Sequence, residues 1–253
     1  YDSLKTLPIT IDYQTVDHKE GLAPHFREIL RKELTHKFQE TNDDGTLVYQ
    51  KPDGTPYNIY KDGLRVYTTI DSRMQVYAEE AVQEHMETTL QYEFDKNNAK
   101  NKRPPFGNEA SDDQIAAIME RAKKNSDRYR KMTKNNASSS EIEAAFNRPV
   151  KMKVFSYKGD FDTTMSPLDS IKYYKGILQA GLMSMDPKTG FVKAWVGGPN
   201  FNHFSFDHVK QSKRQVGSTI KPFVYAAALT LNKITPCKTY TDMDYCVDVP
   251  VSP

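Results

Sequence analysis

Two apolar runs separated by a short turn constrain the fold of this 253-residue chain most strongly. The runs cover residues 178–185 and 191–196, and Asp186, Pro187 and Gly190 lie between them. This pattern predicts a β-hairpin, because turn residues between two strand-like runs favour a tight reversal of the chain. Apolar runs of this length suit a sheet that is buried on one or both faces. The neighbouring segments that would cover such a hairpin therefore decide the fold class.

The apolar residues in most of the neighbouring segments have helical spacing, which predicts that these segments are helices. Strand-like alternation occurs at residues 64–70 and 150–157, and a helix with a broad apolar face follows Gly217. We therefore expect an α+β fold, in which helices and short strands precede part of a mixed sheet with the helix after Gly217 packed on it. The other predicted helices cover residues 22–39, 72–94, 112–132, 141–146 and 166–175.

Charge and hydropathy exclude some functional classes. The 35 basic and 33 acidic residues nearly balance, whereas a dedicated nucleic-acid-binding domain normally carries a clear basic excess. No stretch approaches the roughly 20 apolar residues that cross a bilayer. The chain begins with Tyr1 and shows no signal-peptide pattern, so we expect a piece of a longer protein. From the charge balance we expect no nucleic-acid partner.

The two cysteines carry little functional information. Cys237 and Cys246 are separated by eight residues, a spacing that fits neither a zinc site nor a redox Cys-x-x-Cys pair. A disulfide between them requires the chain to turn back and an oxidising compartment. A disulfide and two free thiols both remain open, and we expect neither a metal nor an organic cofactor.

Ser218 and Lys221 are the residues that carry recognisable chemistry. They stand three positions apart at the start of a predicted helix, so their side chains share one face. A serine hydroxyl becomes a good nucleophile when a neighbouring base removes its proton. A lysine can be that base when burial or another cation disfavours its charge, and unpaired N–H groups at the helix start can hold an oxyanion.

The segment around this pair resembles the nucleophile segment of class A penicillin-binding proteins, the bifunctional enzymes of bacterial cell-wall synthesis. The similar residues are Arg214-Gln-Val-Gly-Ser-Thr-Ile-Lys-Pro-Phe-Val-Tyr225, which contain the Ser-x-x-Lys signature. Upstream, residues 180–198 are similar to the hairpin that precedes the motif in that family. Residues 64–75 are similar to the entry to its transpeptidase unit, and residues 16–23 to the connection after its glycosyltransferase domain. Residues 96–147 show no such resemblance.

The resemblance implies a domain order. Residues 1–63 would be a connecting region after a glycosyltransferase domain. Residues 64–176 would begin the transpeptidase unit and include a helical insertion at about 96–147. Residues 177–253 would form the first part of the transpeptidase domain, with a partial penicillin-binding-protein (serine β-lactamase-like) fold. The last twenty residues are expected to be poorly packed or held by a neighbour.

The resemblance also implies a function and site residues. Ser218 would be the acylated nucleophile of a DD-transpeptidase that acts on D-Ala-D-Ala stem peptides, and Lys221 its general base. Arg214 and Gln215 would shape the approach of the substrate. The implied partners are stem peptides, lipid-linked precursors, β-lactams and cell-wall regulators. The implied location is the extracytoplasmic (periplasmic) face of the inner membrane, with an anchor helix N-terminal to this chain.

Other motifs of the family are missing from the chain. Ser-x-Asn and Lys-Ser/Thr-Gly would have to follow the nucleophile, and none of the 32 residues after Lys221 fits them. Lys188-Thr-Gly190 precedes the nucleophile and is interpreted as a simple turn. The acidic glycosyltransferase motif is also absent. We therefore expect half of one active site here, and a chain that is inactive alone.

Two alternatives remain. A serine β-lactamase would place its nucleophile near the N-terminus, whereas Ser218 lies near the end of this chain. The other alternative is a non-catalytic connecting or interaction module whose helices at 22–39, 72–94 and 112–132 bind regulators. Binding of a cell-wall partner by the segment before Leu178 would distinguish this module from the transpeptidase.

Overall fold

The computed structural model describes residues 21–239 and residue 241, and the chain divides into two units between Ser212 and Lys213. Among the described residues, the first unit contains seven α-helices and two small antiparallel sheets, and the second unit contains one short 3₁₀ helix and one α-helix. This arrangement confirms the predicted α+β class. None of the described helices is both long enough and apolar enough to span a bilayer.

Helix α1 (Pro24–Lys37) begins at a proline, which the first helical turn tolerates because its nitrogen needs no partner there. Its start is fixed by the Ala23 N–H, which donates to Glu79 Oε1 at 2.8 Å. Within the helix, Arg31 donates to Glu28 and lowers the pKa of that carboxyl to about 2.

The predicted helix at 72–94 is longer and irregular. Helix α2 (Ser72–His85) starts at Asp71, whose side chain accepts from the N–H groups of Arg73 and Met74. A π-helical turn (Met86–Leu90) follows and continues into α3 (Gln91–Asn98). The turn places Met86 in the core, where its side chain is buried.

The predicted helix at 112–132 is two helices, α4 (Asp112–Lys124) and α5 (Asp127–Lys134), because Ser126 caps a new start. Helix α6 (Ser139–Asn147) buries Ile142 and Phe146. Its start at Ser138 is a capping box, a reciprocal pair of hydrogen bonds between the cap and Glu141.

The two sheets are hairpins rather than the predicted mixed sheet. Strand β1 (Val150–Val154) pairs with β2 (Phe161–Met165), which was not predicted. After α7 (Pro167–Lys175), β3 (Leu182–Met185) pairs antiparallel with β4 (Val192–Val196), as the turn signal predicted. The segment at 64–70 is not a strand: Thr69 Oγ1 donates to Val192 O, but no backbone ladder is formed.

The core of the first unit contains Met86, Phe155 and Tyr157, with partly buried apolar residues from α2, α7 and the following loops around them. The Tyr157 hydroxyl donates to Leu178 O at 2.9 Å, and burial raises its pKa to about 12. This core fixes the C-terminal end of β1 against α7 and the segment before β3.

A second packed region joins the two ends of the first unit. The buried His25 ring contacts Phe201 edge-on, and its Nε2 lies 2.8 Å from Phe204 O. Gly197 is required there, since an added Cβ would lie 2.6 Å from the Cβ of His25. Helix α1 is thereby held against the loop that follows β4.

The second unit contains the 3₁₀ helix Gly217–Ile220 and α8 (Lys221–Thr230). None of their residues is buried, and Phe223 is 71% exposed. The predicted packing of this helix on a sheet stays a prediction. Most of the last twenty residues, including Cys246, lie outside the described residues, so their predicted poor packing is untested. Cys237 is exposed.

Candidate active site

The turn that contains Ser218 begins at Gly217, in a backbone conformation that only glycine adopts easily. Gly217 has φ of 56°, in the left-handed region, and it opens the 3₁₀ turn that contains Ser218. The Lys221 N–H donates to Ser218 O, and Lys221 is the first residue of α8. Pro222 follows in the first helical turn.

This turn places Ser218 and Lys221 on the same side of the backbone. In a 3₁₀ helix, residues three apart are eclipsed, so their side chains project in the same direction. Thr219 stabilises the turn, since its hydroxyl donates to Val216 O at 2.5 Å and its N–H to the same oxygen at 3.3 Å. The serine and lysine predicted from the motif thus lie at the two ends of one backbone hydrogen bond, from the Lys221 N–H to Ser218 O.

The side chains of the pair are exposed and not engaged with each other. Among the described residues, no hydrogen bond or ion pair involves the side chain of Ser218 or Lys221. A lysine acts as a base when burial or a neighbouring cation disfavours its charged form, and exposed Lys221 lacks the first of these conditions. The described residues therefore leave both side chains exposed, without the enclosure that a Ser–Lys pair would need for catalysis.

The other two predicted site residues, Arg214 and Gln215, lie just before this turn. Arg214 and Gln215 are exposed in a segment that is neither helix nor strand. Within the part of the chain that the structure describes, no hydrogen bond joins either side chain to Ser218 or Lys221. Their proposed role in substrate approach is left untested by this geometry.

The second lysine motif, Lys188-Thr-Gly190, is a turn in the β3–β4 hairpin. Asp186 O accepts from the Gly190 N–H at 2.8 Å, and Asp186 Oδ1 accepts from the Lys188 N–H at 2.9 Å. The bond from Lys188 is the main cause of the lowered pKa of Asp186. These contacts confirm that the motif makes a hairpin turn.

A buried carboxylate organises the chain shortly before the nucleophile segment. Asp207 accepts from Trp195 Nε1 at 2.9 Å and from the backbone N–H groups of Val209 and Lys210. The Asp207 N–H donates to Gln211 Oε1. Sequence reasoning missed this network, because Asp207 belongs to no motif and its burial comes from β4.

No group of three or more His, Cys, Asp or Glu that could hold a metal occurs among the residues described here.

Two family models of penicillin-binding protein domains match consecutive segments of the chain. Residues 101–178 match the family model of the penicillin-binding protein middle domain, and residues 180–250 match that of the penicillin binding protein transpeptidase domain. The first match includes most of the segment at 96–147, for which no resemblance was found from sequence. The second contains Ser218, Lys221, Arg214 and Gln215.

Individual relatives extend the similarity over most of the chain. Penicillin-binding protein 1A of Neisseria flavescens is 27% identical in an alignment of 244 residues that covers 85% of this chain and 27% of the relative. Penicillin-binding protein 1A of Rickettsia bellii is 27% identical in an alignment of 205 residues that covers 75% of this chain and 25% of the relative. That of Neisseria cinerea is 54% identical over 54 residues, or 21% of this chain and 7% of the relative. The chain spans about a quarter of the length of the relatives that match most of it.

Proposed function

The chain belongs to the class A penicillin-binding proteins, and from that premise we propose that Ser218 is the acylated nucleophile of a peptidoglycan-cross-linking DD-transpeptidase. The observation that carries the proposal is the 3₁₀ turn that aligns Ser218 with Lys221 at the start of α8. This turn lies within the 180–250 match to the transpeptidase domain. Neither the serine nor the lysine is engaged in a structural contact among the described residues that would explain its presence.

The proposed reaction is an acyl transfer in two steps. Lys221 Nζ, in its neutral form, accepts the proton of Ser218 Oγ as that oxygen attacks the carbonyl carbon of the penultimate D-Ala. The C–N bond to the last D-Ala breaks, and the departing amine takes up the proton. In the second step the amine of a stem peptide on a neighbouring peptidoglycan strand attacks the ester carbon. The ester C–O bond breaks, and the proton that the amine gives up returns to Ser218 Oγ.

The exposed geometry indicates what else the reaction needs. Burial around Lys221 would disfavour its charged form, and further N–H groups would hold the developing oxyanion. We expect both from the Ser-x-Asn and Lys-Ser/Thr-Gly motifs, neither of which follows Lys221 in this sequence. The chain by itself is therefore expected to be inactive.

Arg214 and Gln215 are proposed to guide the substrate toward Ser218. Both side chains are exposed and lie within four residues of the nucleophile. A guanidinium binds carboxylates through two parallel hydrogen bonds, so Arg214 suits the carboxylate of a stem peptide.

The wider setting follows from the family. We propose stem peptides, lipid-linked precursors and β-lactams as ligands, with cell-wall regulators as protein partners. We also propose an extracytoplasmic location at the inner membrane, with an anchor outside this sequence, and a glycosyltransferase activity in the longer protein. The domain boundaries predicted at 63/64 and 176/177 belong to the same proposal.

The test is penicillin labelling of the full-length protein that carries this sequence, read by intact mass and peptide mapping. We expect a mass gain of one whole penicillin on Ser218, because the opened ring stays attached as an ester. Ser218→Ala should abolish the gain, and Lys221→Ala should slow it by roughly 10²- to 10⁴-fold, the usual contribution of a general base.

Ser212→Ala is the matched control, since this serine lies six residues upstream and should leave the labelling unchanged. Labelling of Ser218→Ala at the wild-type rate would overturn the assignment.

A further inference from the structure

A hollow of about 490 Å³ opens in the first unit between α4, α7 and the loop after β4. Its volume falls in the range of small-ligand sites, which are mostly apolar with a few well-placed polar groups. No Asp or Glu lines it among the described residues. The lining residues that matter here are Ile171, Tyr174, Lys175, Gln179, Phe204 and Phe206.

One wall is held rigidly by hydrogen bonds inside the protein. The Tyr174 hydroxyl accepts from the Phe155 N–H at 3.2 Å and lies 3.3 Å from His203 Nδ1. His203 Nε2 lies 2.9 Å from Asp160 Oδ2. If the Tyr174 hydroxyl donates to His203 Nδ1 and the His203 Nε2–H donates to Asp160, each side chain in this series of hydrogen bonds has a partner. This wall is therefore built before any ligand arrives.

Two polar groups of the hollow, the Gln179 side-chain oxygen and the exposed Lys175 ammonium, have no hydrogen-bond or ion-pair partner among the described residues. Gln179 Oε1 is buried without a hydrogen bond, although a buried acceptor of this kind is normally paired. The same amide donates to Ile177 O only at 3.3 Å. Lys175 Nζ forms no ion pair among the described residues. Gln179 Oε1 can therefore accept a hydrogen bond from an N–H or O–H donor, and Lys175 Nζ can pair with an anion.

The remaining surface is aromatic and aliphatic. Phe204 is fixed by an edge-to-face contact with Phe155, whose ring centroid lies 5.3 Å away. Phe206 is 48% exposed beside it, and Ile171 of α7 completes the apolar lining. An apolar group can therefore pack between the unpaired amide and the unpaired ammonium.

We propose that this hollow binds a short peptide that ends in a free carboxylate. The carboxylate pairs with Lys175, a peptide N–H donates to Gln179 Oε1, and a small apolar side chain packs on Phe206. Gln179 Oε1 is closed off from solvent in the unliganded protein, so the amide turns toward the hollow on binding. That turn breaks only the long bond to Ile177. The inference rests on the proposed function only in taking D-alanine peptides as the probe.

The probe is N-acetyl-D-alanyl-D-alanine, titrated into the 253-residue chain carrying Ser218→Ala and followed by NMR. This background excludes acylation, so binding is measured apart from the proposed reaction. We expect saturable shifts, and roughly tenfold weaker binding in Lys175→Gln, because a charge-assisted hydrogen bond is lost. Lys172→Gln, on the same helix and outside the hollow, is the control and should bind as the parent does.

A second variant separates a binding role of Gln179 from a structural one. Gln179→Leu removes an acceptor that has no partner in the free protein, so the melting temperature should stay the same or rise, whereas affinity should fall about tenfold. A structural role would instead lower the melting temperature.

Three results would overturn the site: no saturable shifts up to roughly 10 mM, equal affinity for the C-terminal amide of the probe, or unchanged affinity in Lys175→Gln. Failure here leaves the labelling of Ser218 by penicillin unaffected, and failure of that labelling leaves these titrations unaffected.

Discussion

Gln75 is fully buried on α2, and both ends of its side-chain amide are hydrogen-bonded. Its oxygen accepts from the Trp195 N–H at 2.7 Å, and its nitrogen donates to Trp195 O at 2.9 Å and to Glu79 at 2.7 Å. A side chain thus replaces the neighbouring strand that β4 lacks at this position. Glu79 in turn accepts from Ala23, so one glutamine connects α2, β4 and the start of α1.

Gln75→Leu should destabilise the first unit by about 2–4 kcal/mol, because it leaves two partly buried backbone groups of Trp195 unpaired. Chemical unfolding measures this effect, and the fluorescence of Trp195, the one tryptophan in the sequence, reports on the same contact.

Gln39→Leu provides the control at an exposed glutamine and should change stability by less than about 0.5 kcal/mol. Equal stability of the two variants would show that Gln75 does not hold β4.

For single residues, the sequence predicts reactive side chains better than it predicts which polar side chains are buried. Ser218 and Lys221 were found because their motif is local and the helix start places them together. Gln75 and Gln179 carry no local signal, since their burial depends on residues distant in the chain; Gln75, for example, bonds to Trp195, which lies 120 positions away. A polar residue in a sequence predicted to be helical is expected to face solvent. The burial of Gln75 is seen only in the folded unit.

The helices α4, α5 and α6 each begin after a serine whose side chain caps the first helical turn. Ser138 accepts from the Glu141 N–H, and Glu141 accepts from the Ser138 N–H at 2.7 Å. The bonds from Ser138 are also why the pKa of Glu141 is lowered. The cap fixes the start of α6, which carries the buried Phe146.

Ser138→Ala should cost about 1 kcal/mol of unfolding free energy, the usual value of an N-cap, measured by urea denaturation. The neighbouring Ser139 makes no cap bond, so Ser139→Ala should be close to neutral. Equal losses in the two variants would contradict the capping role.

Element types were predicted well and element ends poorly. The turn at Asp186–Gly190 and the helix start at Pro167 follow from local turn and cap residues, which the sequence displays. The π-helical turn at Met86–Leu90 and the unpaired segment at 64–70 do not, because both depend on what packs beside them. Residues 64–70 have strand-forming side chains, yet an extended chain becomes a strand only when a partner offers its backbone.

At the scale of the molecule, the chain has two units joined by residues that are neither helix nor strand. Residues 212–216 form this connection, and Lys213 and Arg214 within it are exposed. Exposed segments without regular structure are the preferred sites of proteolysis.

Brief trypsin digestion should therefore cut after Lys213 or Arg214 before any other site between residues 21 and 239. Mass spectrometry of the fragments identifies the cut. The double variant Lys213→Gln, Arg214→Gln should lose it and keep the remaining pattern. A first cut within α4 or α5, which also carry exposed basic residues, would show that the connection is protected.

The contact between His25 and Phe204 joins residues 179 positions apart. Chains are synthesised from the N-terminus at roughly 5–20 residues per second, so α1 leaves the ribosome roughly ten to forty seconds before its partner loop exists. During that interval the face of α1 around His25 has nothing to pack against. The first unit can therefore finish folding only after the loop that follows β4 has been made, and among its described helices α1 waits longest for its partner.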